Sequence, residues 1–144
     1  MIHRPVCIFI PLFVLALTLG CSVINLYGPG YYSETKVGNK LIRVTFRGGD
    51  HPLTGDLCLL RCADVTTQAG FSHFQVVDSE SGSSLEKIPS VYPFNHHYHM
   101  DDPFIRDIAF VTKTIRFLEG DLKNEFAYNA SEVSLSLRAK YDIE

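Results

Sequence analysis

The sequence predicts an α+β domain, a small sheet of about three to four strands packed against one long helix and a shorter C-terminal helix. Three stretches carry that expectation: the alternation Ile42, Val44, Phe46 against Arg43, Thr45, Arg47; the run Cys58, Cys62, Val65, Ala69 at helical spacing; and the aromatic and β-branched segment around Phe74 and Val76. Together they spell strand, helix, strand between Leu41 and Val77.

The chain opens with a targeting segment. His3 and Arg4 give a basic start, and Val6 to Leu19 is apolar apart from Thr18 and Pro11. That run is too short to span a bilayer, which takes about 20 apolar residues. It ends at Gly20 followed by Cys21, in the order Leu17-Thr18-Leu19-Gly20-Cys21, which looks like a bacterial lipobox. Residues 1–20 are therefore expected to be a cleaved lipoprotein signal and Cys21 the site of lipid attachment. Acyl chains contribute about 0.8 kcal/mol per buried CH₂, so several would hold a soluble domain to a membrane. Ser22 after the cysteine, rather than an aspartate, resembles an outer-membrane address. Residues 21–32, with Gly28, Pro29 and Gly30, read as a lipidated tether, and 33–144 as one folded domain.

After the first strand, Gly48, Gly49 and Asp50 break the pattern. Thr54 is the expected N-cap of the long helix, Asp56 a favourable first-turn charge, and Gly70 the left-handed residue after its last turn. Asp78 to Lys87 is polar and serine-rich, the composition of a surface connection, and Ile88 to Phe94 holds a short edge strand at most, given Pro89 and Pro93. From Asp107 to Leu118, Ala109, Val111, Ile115 and Phe117 share one strand face interrupted by Lys113. Asn129 and Glu132 form a capping-box-like start to the closing helix, in which Val133 and Leu137 lie one turn apart; the alternation Val133, Leu135, Leu137 permits a strand as well.

The pieces Tyr32-Ser33-Glu34-Thr35, Arg43 to Gly48, Leu59 to Thr66, Gly70-Phe71, Phe74 to Asp78 and Tyr128-Asn129-Ala130 with Val133 resemble the Caulobacter-type family of small bacterial envelope lipoproteins of unassigned function. Cys62 and Asp64 stand where the family is expected to have alanine and glutamate. The resemblance implies an exported α+β lipoprotein and no catalytic residues.

The formal net charge of -3, with no basic patch, argues against a nucleic-acid partner. The sequence shows no nucleophile elbow, phosphate loop or convergent pair of acids, so no enzyme and no cofactor is expected. The richest polar cluster runs from Asn95 to Asp102, where His96, His97 and His99 sit beside Asp101 and Asp102. Imidazole and carboxylate are ligands of zinc, copper or nickel, and His97 and His99 share a side of an extended segment. No spaced motif such as His-Glu-x-x-His fixes a geometry there, and a solvated polar loop explains the same composition. His51 and His73 join such a site only if the fold brings them to it. Cys58 and Cys62, one helical turn apart, suit small buried apolar positions better than a disulfide. The expected function is a lipid-anchored structural or protein-interaction module on the periplasmic face of the outer membrane, attached through its N-terminal lipid and meeting an envelope protein; the alternative is a metal-binding or sensing lipoprotein using His96, His97 and His99.

Overall fold

A computed structural model describes residues 27–87, 105–119 and 126–143. Its elements are β1 (Tyr32–Lys36), β2 (Leu41–Arg47), α1 (Leu53–Gln68), β3 (His73–Lys87), β4 (Ile105–Leu118), β5 (Tyr128–Asn129) and α2 (Ala130–Tyr141). The α+β class is as the sequence predicts, with five strands in place of three to four. They form one antiparallel sheet in the order β1-β2-β4-β3-β5. Because β4 lies between β2 and β3 and opposes both, the two strands joined by α1 are parallel to each other without touching.

The core lies between one face of the sheet and the helices. Val44, Phe46, Phe74, Val111, Ile115 and Phe117 meet Leu57, Cys58, Leu60, Cys62, Ala63 and Val65 of α1, and all are buried. Burying such side chains supplies about 1.5–3 kcal/mol each, which is what orders the helix over the sheet. Ala130, buried at the start of α2, lets that helix come close, and Val133 and Leu137 pack partly onto the same core.

Several local expectations change. α1 begins at Leu53 with Pro52 at its N-cap and no side-chain cap; Thr54 is buried inside the first turn and donates to the Gly48 carbonyl at 2.9 Å. Ala69 is the exposed C-cap rather than part of the buried stripe, and Gly70 follows with φ +84°, the left-handed conformation its composition suits. Asp78 to Lys87 is not a connection but the distal half of β3, paired residue by residue with Ile105 to Thr114 of β4. Its serines and acids give no apolar alternation, because that part of the strand has no helix layer over it; cross-strand backbone pairing forms it. A register shift between Val76 and Asp78 leaves Val77 exposed. Gly82 sits under the Phe110 ring, where an added Cβ would come within 3.1 Å.

β1 was invisible as a strand because its sequence, Tyr-Ser-Glu-Thr-Lys, is exposed beyond its first residue. The tight turn that binds Val37 N–H and Gly38 N–H to the Leu41 carbonyl sets it against β2. The stretch expected as tether is already part of the domain by Tyr27: Tyr27, Tyr31 and Tyr32 all pack on the core. At the other end, Asn129 caps α2 as expected, its Oδ1 accepting from Ser131 N–H and Glu132 N–H. Leu135, 71% exposed, settles the choice between helix and strand, since a helix turns it away from Val133 and Leu137. Ile88 to Phe94 lies outside the described residues.

Candidate functional site

Cys21 and the three histidines His96, His97 and His99 lie outside the described residues. His51 is exposed on the turn before α1, and His73 opens β3 with its Nδ1 2.9 Å from the Ser72 hydroxyl. Among the described residues no group of three or more His, Cys, Asp or Glu side chains is arranged to hold a metal, and no helix is long and apolar enough to cross a membrane.

The densest polar constellation joins the N-terminal segment to both helices. Asp64 sits on the face of α1 that meets α2. Its Oδ2 accepts from the Tyr27 hydroxyl at 2.6 Å and from Arg138 Nη2 at 2.8 Å, and its Oδ1 accepts from the Ser134 hydroxyl at 3.2 Å. Arg138 Nε also donates to Ser134 Oγ at 3.2 Å, and its guanidinium lies 5.6 Å from the Tyr27 ring centroid. Burial, reinforced by the bond to Asp64, pushes the Tyr27 phenol well above its ordinary pKa, so it stays a donor. Beside this group, the Arg61 guanidinium lies 4.0 Å over the Tyr32 ring and its Nε contacts Glu34 Oε1 at 2.5 Å.

Two turns earlier on α1, Asp56 repeats the arrangement. It accepts from Lys140 Nζ at 2.7 Å and from the Tyr141 hydroxyl at 2.6 Å. Partial burial works against the Asp56 carboxylate, but the bonds from Lys140 and Tyr141 prevail and hold it below the usual range. α2 is thus fastened to α1 by two carboxylates that each take a cation and a tyrosine hydroxyl. Sequence reasoning missed this set; the spacing Ser134, Arg138 on one side of α2 and Asp56, Asp64 on one side of α1 was its available signal.

The two thiols form a short chain inside the core. Cys58 Sγ donates to the Val44 carbonyl at 3.6 Å, and Cys62, fully buried, bonds to Cys58. The Cys62 contact lowers the Cys58 pKa, while that contact and burial raise Cys62. Both thiols are free.

A cleft of about 770 Å³ opens where the β2–α1 turn faces the distal β3–β4 arm. Arg47, Asp50, Glu86, Arg106 and Asp107 line it with both signs of charge, and Gly48, at φ +107°, lets the backbone pass within reach of the Tyr31 ring. On the sheet face away from the helices, Thr45 and Thr112 share a hydrogen bond of 2.9 Å, and the Thr114 hydroxyl beside them is buried without a described partner. No protein-family model, curated protein or solved structure matches the chain.

Proposed function

We propose that this chain is a lipid-anchored bacterial envelope protein, held through acylated Cys21 at the periplasmic face of the outer membrane, whose α+β domain serves as a structural or protein-interaction module. The observation that carries the reading is the lipobox-like sequence ending in Cys21, six residues before Tyr27, the first described residue, whose hydroxyl is bonded to Asp64 of the domain. The span from Cys21 to Tyr27 reaches about 20 Å at full extension, so an anchored domain is held close to the bilayer surface. The resemblance to small envelope lipoproteins points the same way. Replacing Cys21 by serine is expected to release a folded domain into the soluble fraction and to abolish the acyl mass on the mature chain. Retention of the variant in the membrane fraction counts against the anchor.

The second reading, metal binding or sensing, rests on the density of imidazoles at His96, His97 and His99. Changing all three to alanine removes tight metal uptake if it is right, and unchanged uptake by native mass spectrometry disposes of it.

A further inference from the structure

The sheet leaves one long edge open. β5 covers only His73 and Phe74 of β3, so from Gln75 to Lys87 no described strand lies along the outer side of β3. Alternate residues of such an edge turn their N–H and C=O groups outward, a template for another strand. Natural edges are commonly blunted by charged side chains, lysine above all, by proline, by bulges or by brevity. The described edge carries a bulge at Val77 and a lysine only at its end, Lys87; between them Asp78-Ser79-Glu80-Ser81-Gly82-Ser83-Ser84-Leu85-Glu86 runs without proline, and its charges are all acidic.

Register fixes the charge of that edge. Asp78, Glu80 and Glu86 stand opposite Thr114, Thr112 and Arg106, on the sheet face away from the helices. Asp78 and Glu80 are exposed and have no ion-pair partner among the described residues. A second copy of the chain is a poor occupant. Antiparallel self-pairing brings together two edges that each carry Asp78, Glu80 and Glu86; about Gly82 it sets Asp78 directly against Glu86 and about Ser83 Glu80 against Glu86, which is destabilising.

We infer that the outer edge of β3, from Val76 to Glu86, receives an extended segment of another envelope protein that carries lysine or arginine at alternate positions. The partner's backbone completes the ladder and its cations lie over Asp78 and Glu80, as in strand addition to a sheet edge. The inference rests on the interaction-module reading and names its surface.

The test titrates the full chain, in neutral detergent, with labelled peptides of about ten residues: alternating Lys-Thr, alternating Glu-Thr, a block peptide of the same lysines and threonines, and alternating Lys-Thr methylated at every backbone nitrogen. The alternating Lys-Thr peptide is expected to bind most tightly and to slow amide exchange between Val76 and Glu86. The doubly neutralised chain, Asp78→Asn with Glu80→Gln, is expected to bind it about three- to tenfold more weakly. Equal binding of the methylated or block peptide, or protection confined to other elements, overturns the inference. A photoreactive residue at Ser81 and another at Leu135 separate the two claims in the envelope. Adducts from Leu135 alone overturn the edge and leave the module standing; adducts from neither site count against the module itself.

Discussion

The Tyr27 hydroxyl donates to Asp64 across 37 residues of chain at 2.6 Å, and the same Asp64 oxygen takes Arg138 from the closing helix. One carboxylate therefore ties the N-terminal entry of the domain to its C-terminal exit.

Tyr27→Phe removes that bond while keeping the ring beside Tyr32. A hydrogen bond to a charged group is worth about 1.5–3 kcal/mol, and partial exposure places the expected loss near the lower end, about 1–2 kcal/mol in urea unfolding. The folded-state pKa of Tyr27 is raised, so its contribution is complete below the unfolded tyrosine value of about 10 and falls away as pH rises beyond it. The difference between wild type and Tyr27→Phe should thus change only on the alkaline side.

Asp56 has the opposite sign. Its folded-state pKa is depressed, so the stability it supplies is present above the unfolded value of about 4 and disappears as pH falls through the folded one. Asp56→Asn is expected to be less stable than wild type at neutral pH and to converge with it on acidification. A gap that persists at low pH assigns the loss to packing instead.

Asn129→Ala deletes the side chain that accepts from Ser131 N–H and Glu132 N–H at the start of α2. The expected cost is about 1 kcal/mol. Amide exchange should quicken in the first turn of α2 before it quickens in α1, and uniform destabilisation would contradict a capping role.

The core thiols give a count. Cys58 and Cys62 are fully buried, and side chains one turn apart on a helix have Cβ atoms about 5–6 Å apart, beyond disulfide reach. A thiol reagent should find none of them in the native protein. In denaturant it should titrate Cys58 and Cys62 alone if the signal with Cys7 has been removed and Cys21 is acylated, and all four cysteines if neither has happened.

The parts of this fold that were legible in the sequence are those whose side chains meet the core. Val44 and Phe46, the α1 stripe, and Val111, Ile115 and Phe117 all announce themselves by period, because burial demands it. β1 and the distal half of β3 carry no such period: β1 meets α1 through the polar contacts of Arg61 with Tyr32 and Glu34, and the distal half of β3 is formed by pairing with β4, distant in sequence. Thr54 misled as a cap because its hydroxyl turns back to Gly48 rather than along the helix. The Asp64 and Asp56 fastenings were hidden for a related reason: each looks like an ordinary surface charge until α2 is laid beside α1.

The position of β4 sets an order on how this chain can acquire its shape. Emerging from its N-terminus, the polypeptide can make the β1–β2 hairpin and α1, but β2 and β3 have no strand to share until β4 is inserted between them. The sheet therefore closes only after the residues up to Leu118 are free, and the Tyr27–Asp64–Arg138 fastening only after α2 follows. A chain delivered N-terminus first through a narrow conduit can hold the β1–β2 hairpin and α1 on the far side, but completes neither its sheet nor its helix fastening until β4 and α2 have passed.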